Sequence, residues 1–232
     1  MEARLIESRK SAQQPIWQQR LLLAQSPLQL ITPQTQTRDD VETFIADKFW
    51  QSYGAQLQYF FPFLLASVQA EQVNAALGFQ LAIQQPLFLE HYLESPVEQT
   101  LSTIYGHVDR EDIVEIGNLA ASFQAGSPLL FVIVAAILQQ AGFKQVVFTA
   151  TSQVRRLLEK LQLETTVIGV ADPTKLPDKG DAWGEYYQHK PMILAGDLNY
   201  AVEHLRYHRV IKSAWEHHED FIQSTAARIR LS

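Results

Sequence analysis

Residues 112–148 read DIVEIGNLAASFQAGSPLLFVIVAAILQQAGFKQVVF, and the fold turns on how this stretch is parsed. Its start, Ile113 to Leu119, is aliphatic and β-branched around a single acid, Glu115, which predicts a strand. Gly126, Ser127 and Pro128 then make a turn and a helix start, Ser127 as N-cap and Pro128 at the first helical position. Residues 128–141 are apolar on all sides, which predicts a buried helix ended by Gly142. The run 145–150, QVVFTA, is continuous and apolar, the pattern of a strand covered on both faces. Strand, turn, buried helix and strand form the crossover of an α/β domain that binds a nucleotide or coenzyme. A helix start offers unpaired N–H groups to a pyrophosphate.

On the N-terminal side, Val41, Phe44, Ile45, Phe49 and Tyr53 recur at helical spacing and predict an amphipathic helix over 38–53, with Thr37 or Asp39 as cap and Gly54 as stop. Residues 58–68 and 73–82, linked by Ala70, Glu71 and Gln72, predict an antiparallel hairpin. Pro62 marks a bulge or edge, and Gly78 a bulge or close approach. Residues 86–106 predict two short connecting helices. On the C-terminal side, a helix over 154–161 capped by Ser152, a strand over 165–170, a loop over 171–180 and a short aromatic helix, WGEYYQH, lead to a strand at 192–194. A helix started by Asp197 and a largely helical tail follow. The expected division is a weakly patterned segment over 1–36, in which Ile16, Trp17 and Leu21 to Leu23 form at most a short element, one α/β domain over 37–199, and a helical extension over 200–232.

The composition narrows the chemistry. With 19 basic against 25 acidic side chains the net charge is −6, without the basic face that nucleic acid requires. The chain has no cysteine, which removes disulfides, thiolate metal sites and a cysteine nucleophile together. The start, MEARLIESRKSAQQPIWQQRLLL, lacks the pattern of a signal peptide, and the apolar run at 128–141 falls short of the ~20 residues of a spanning helix. A cytoplasmic protein without an integral membrane segment is expected. His217, His218, Glu219 and Asp220 lack the i, i+4 histidine spacing of a helical zinc site, and neither a nucleophile elbow nor a P-loop is present, so no metal is expected.

The segments VEIGNLAA (114–121), QVVFTATSQVRRLLEKLQL (145–163), WGEYYQHKPMILAGD (183–197) and PLFLEHYL (86–93) resemble the thermostable haemolysin family, WGxYY being the most specific. The order of elements is similar to that of the GNAT-like acyl-CoA N-acyltransferases, and more distantly of the acyl-homoserine-lactone synthases. In those synthases an arginine stands where this chain has Asn118, a departure from lactone synthesis that leaves acyl transfer. The resemblance implies a mixed sheet split near Asn118 and an acyl donor, either coenzyme A or an acyl carrier protein thioester, lying across the split. It also implies a small-molecule acceptor of the amine type, and a homodimer is compatible with it. Two other functions stand beside it: a membrane-active protein in keeping with the family name, with Trp215, Phe221 and Ile222 on an amphipathic helix, and a non-catalytic binding module on an acyl-CoA fold.

Residue roles follow from position. If Val114 and Ile116 face one side of the sheet, Glu115 faces the other with Gly117, whose missing side chain leaves room for a ligand; a buried acid there is a candidate base. The alternative is a plain surface acid. Asn118 and Ser122 are candidates to position the acceptor, with Glu90, Trp183 and Tyr186 lining its pocket. Leu119, Gln124, Gly126, Ser127 and Thr149 are candidates to hold the donor, and Thr151, Arg155 and Arg156 lie close in sequence. Tyr187 is the candidate acid for the departing thiolate; its alternative, like that of its aromatic neighbours, is to cover the core.

Overall fold

The computed structural model describes residues 26–122 and 126–231. The elements run β1 (Leu28–Ile31), α1 (Arg38–Tyr53), β2 (Phe63–Gln69), β3 (Gln72–Leu81), a 3-10 turn (Phe88–Tyr92), α2 (Val97–Tyr105), β4 (Ile113–Ala121) and α3 (Gly126–Gln140). They continue as β5 (Gln145–Ala150), α4 (Ser152–Lys160), β6 (Thr166–Val170), β7 (Met192–Asp197), α5 (Leu198–Arg206), α6 (Arg209–His217) and α7 (Glu219–Arg230). Among the described residues, seven strands form one mixed sheet in the order β1-β2-β3-β4-β5-β7-β6. Only β4 and β5 pair in parallel; every other neighbour is antiparallel.

The expected crossover is present, and α3 is its centre. Leu130, Ile133, Val134, Ile137 and Leu138 are fully buried, packed against Val114, Ile116 and Phe148 of the sheet and against Leu198, Val202, Ile222, Ala226 and Ile229 of the C-terminal helices. That double cover is why the helix is apolar all round. On the opposite face α1 seats Val41 and Ile45 on Leu64, Ala66, Ala76 and Ala120, while the turn at Phe88–Tyr92 and α2 cover Ile113, Val147 and Ile193. No helix among the described residues is long and apolar enough to cross a membrane.

Several boundaries move. The sheet begins at Leu28, ahead of the expected limit at Thr37, because Leu28, Leu30 and Ile31 bury against β2. Residues 58–62 are not strand. The Arg38 guanidinium donates to the carbonyls of Phe61 and Pro62, both at 2.9 Å, and Asn118 Oδ1 accepts from the Phe61 N–H, so side chains take these backbone groups instead of a neighbouring strand. Helix α3 starts at Gly126 and α4 at Ser152, so neither Ser127 nor Ser152 is an N-cap. Ile16, Trp17 and Leu21 to Leu23 lie outside the described residues.

The feature that positions the site is the parting of β4 from β5. They pair from Ile113↔Gln145 to Ile116↔Phe148 and no further. Beyond that point β4 follows β3, and β5 continues along β7 to Ala150. A bulge drives the divergence: Gly78 faces Gly117 and Ala76 faces Ala120, so Asn118 and Leu119 both stand opposite Leu77. Asn118 takes the left-handed conformation, φ 48°, that the extra residue demands and that asparagine tolerates better than most.

Candidate active site

A pocket occupies the wedge between the strands. It is lined by β4 from Glu115 to Leu119, by Phe148, Thr149 and Thr151 at the end of β5, by Phe131 of α3, and by aromatic rings from α1, from residues 59–61 and from the loop before β7. It leaves about 100 Å³ for the centres of water-sized groups. That suits a slender chain or an amine head.

Glu115 is its chemical centre. Strand alternation turns the carboxylate away from Val114 and Ile116, and it is 2% exposed. Three donors reach it: Gln80 Nε2 and the Phe88 N–H at 2.7 Å, and the Leu89 N–H at 3.1 Å. Desolvation outweighs these bonds and pushes the carboxyl up to about 8. Gln80, itself fully buried, accepts on Oε1 from Tyr59 Oη at 2.8 Å and from Gln85 Nε2 at 2.6 Å. The network therefore fixes the acid from its side-chain donor out to the half-exposed Tyr59.

An aromatic wall continues from there. Tyr59 stacks on Phe88 at 6.1 Å, Phe88 meets Trp183 at 5.5 Å, and Trp183 meets Tyr186 at 5.1 Å, with Phe49 and Tyr53 closing on Tyr186. WGxYY brings these rings in by a backbone contact. The carbonyl of Tyr53, at the end of α1, accepts from the Glu185 N–H at 2.7 Å, and a Cβ on Gly184 would stand 2.2 Å from that oxygen. Gly184 also adopts φ 51°, ψ −124°, open only to glycine.

Of the residues singled out from sequence, Glu115, Asn118, Leu119, Thr149, Trp183 and Tyr186 line this pocket together. Thr149 Oγ1 is buried with no hydrogen-bond partner among the described residues, which leaves it free for a ligand. Arg155 Nε is buried and likewise unpaired, whereas Arg156 is exposed.

Others have different work. Gly117 makes room for a ring of the protein: an added Cβ would lie 2.7 Å from Phe61 Cε2. Asn118 spends its amide on residues 57–62, accepting from Phe61 N–H at 2.9 Å. Glu90 lies outside the lining. Burial raises its carboxyl, but Arg110, at 2.7 Å, and the N–H groups of Val97 and Leu87 overcome this and hold it at about 2. Tyr187 turns its hydroxyl to Tyr92 Oη at 2.6 Å, and burial pushes it up to about 12; Tyr92 is the member of this pair on the pocket. Ser122 is exposed at the end of β4. Gln124 lies outside the described residues, as does the side chain of Ser127, and Gly126 is the first residue of α3. Among the described residues no group of three or more His, Asp or Glu side chains gathers as metal ligands would.

The residues that sequence reading missed are Gln80, Tyr53, Tyr59, Phe61 and Phe88. One signal was available for Gln80, the one polar side chain in the otherwise apolar run from Ala75 to Leu81, on the same face as Gly78.

The chain has the mixed α/β, GNAT-like fold of acyl-homoserine lactone synthases. A coenzyme A-dependent acyl-homoserine lactone synthase, BjaI, solved with SAM and isopentyl-CoA, superposes with a TM-score of 0.53 at 14% identity over 89% of this chain and 100% of that one. The acyl-homoserine lactone synthase LasI gives 0.51 at 14% identity over 78% and 95%. FeeM, an N-acyl amino acid synthase from uncultured soil microbes, gives 0.52 at 12% identity over 77% and 98%. The chain belongs to the thermostable hemolysin family, whose model matches residues 31–202. A comparison with the curated proteins gives no match.

Proposed function

We propose that the protein moves an acyl group from a thioester of coenzyme A, or of an acyl carrier protein, to an amine. One observation carries this reading: a buried, desolvated carboxylate, Glu115, opens onto a pocket at the point where β4 and β5 part. Parted strands leave backbone groups of β4 unpaired by β5, available to a donor and to the thioester carbonyl. The solved acyl-transferring synthases of the same fold lend weight to the class of reaction, though not to a substrate.

In this mechanism Glu115 takes a proton from the incoming ammonium, directly or through water. The amine nitrogen attacks the thioester carbon, the C–S bond breaks as the C–N bond forms, and the second amine proton goes to the departing sulfur. Amide and free thiol result. Gln80 keeps Glu115 oriented, Thr149 and Leu119 contact the donor, and Arg155 with the start of α3 faces its phosphates. Tyr53, Tyr59, Tyr92 and Tyr186 are the tyrosines on the pocket, and Tyr187 is not among them. Such a reaction fits the cytoplasm, where thioester donors are made.

The test is calorimetric titration with coenzyme A and acyl-CoAs, followed by thiol release in the presence of amines. Failure to bind coenzyme A, acyl-CoA or an acyl carrier protein would overturn the proposal. Binding without turnover against any amine would instead identify a non-catalytic module.

A further inference from the structure

We infer that the acceptor is an amine with an apolar or aromatic body and no carboxylate, phosphate or other anionic group; the inference rests on the acyl-transfer reading above. Three observations on the pocket converge. Glu115 is the only formally charged side chain among the described residues that line it, and no lysine or arginine does. Tyr59, Phe88, Trp183, Tyr186 and Phe49 form a continuous series of ring contacts on the same side of the sheet as that acid. Among the described residues, the Glu115 oxygens are met by three protein N–H donors and by no protein cation.

An ammonium brought into this space meets a carboxylate and the negative faces of aromatic rings, both attractive to a cation. Its apolar body replaces water against ring surface. A carboxylate on the same molecule would enter a desolvated site beside Glu115 with no positive partner among the described residues, an arrangement that costs heavily. The pocket therefore selects by two criteria at once: it accepts the positive charge and refuses a negative one. An α-amino acid fails the second criterion, and a phosphorylated amine fails it more severely. The proton balance is the one given above, with Glu115 receiving the first proton and the thiolate the second.

The experiment compares matched pairs on the full chain: 2-phenylethylamine against L-phenylalanine, and hexylamine against L-norleucine, with acyl-CoAs of graded chain length. Thiol release and amide mass are the readouts. The amine of each pair is expected to exceed its amino acid in kcat/KM by about 100-fold, equivalent to ~2.7 kcal/mol. Tyr59→Leu, at a half-exposed position, is expected to raise KM for the amine about fivefold, as loss of a cation–π face would. Equal or reversed preference within the pairs would overturn the acceptor class and leave acyl transfer standing. So would the absence of transfer to any of the four compounds by a protein that binds donor. Absence of donor binding together with absence of transfer would remove both readings.

Discussion

Glu115 concentrates the consequences at the scale of single residues. If it is the base, kcat/KM rises with pH through about 8, where burial has pushed its carboxyl, and Glu115→Gln lowers turnover by about 10²–10⁴-fold while leaving donor binding intact. Retained turnover in that variant, measured by thiol release, would end the assignment. Gln80→Leu removes a donor that holds the carboxyl down, so the rising limb of the profile moves to higher pH. The same group shapes stability. Between its ordinary value of 4.5 and its folded value of about 8, the folded chain keeps a proton that the unfolded chain has lost. This contribution is complete below 4.5 and disappears as pH rises through 8. Urea unfolding across that window should show wild-type stability falling and the Glu115→Gln variant nearly level. Glu90 works with the opposite sign: held at about 2, it contributes above 4.5 and its contribution is lost as pH falls through 2. Alternation made the direction of Glu115 readable from sequence. The occupant beside Gly117 was not readable, because Phe61 stands 57 residues before Asn118, whose Oδ1 fixes its N–H.

At the scale of elements, the hairpin, α1, β4, α3 and β5 follow from periodicity, since one buried face leaves a period of 2 or 3.6 in the sequence. The 3-10 turns at Asp181–Trp183 and Tyr186–His189 replace the expected aromatic helix. Gly184, at ψ −124°, breaks any helix through that motif and lets the loop close on the end of α1. Gly184→Ala forces a Cβ onto the Tyr53 carbonyl; it should cost about 2–4 kcal/mol in urea unfolding and disturb the near-ultraviolet signal of Trp183 and its neighbouring tyrosines. A variant as stable as wild type would show that the loop does not need this contact. The local sequence offered a glycine among aromatics, but the reason for the glycine lies on another element.

Across the whole molecule, the C-terminal helices belong to the main core. Ile222, Ala226 and Ile229 of α7 bury with α3 and the sheet, and Trp215 Nε1 donates to the Val132 carbonyl at 3.2 Å. Ile229→Ala should therefore cost about 2–5 kcal/mol, a core-sized loss measurable by urea unfolding and larger than a detached extension would give. Sequence alone determined the crossover, the amphipathic helices and the side of β4 on which Glu115 lies, because these depend on local periodicity and on covalent alternation along a strand. Tertiary structure alone decided that β1 and α7 join the core, that β7 inserts between β5 and β6, and that Gln80 and aromatic rings from separate segments meet around one acid. Those contacts join residues far apart in the chain, whose pairing depends on which surfaces bury together and leaves no period in the sequence to read.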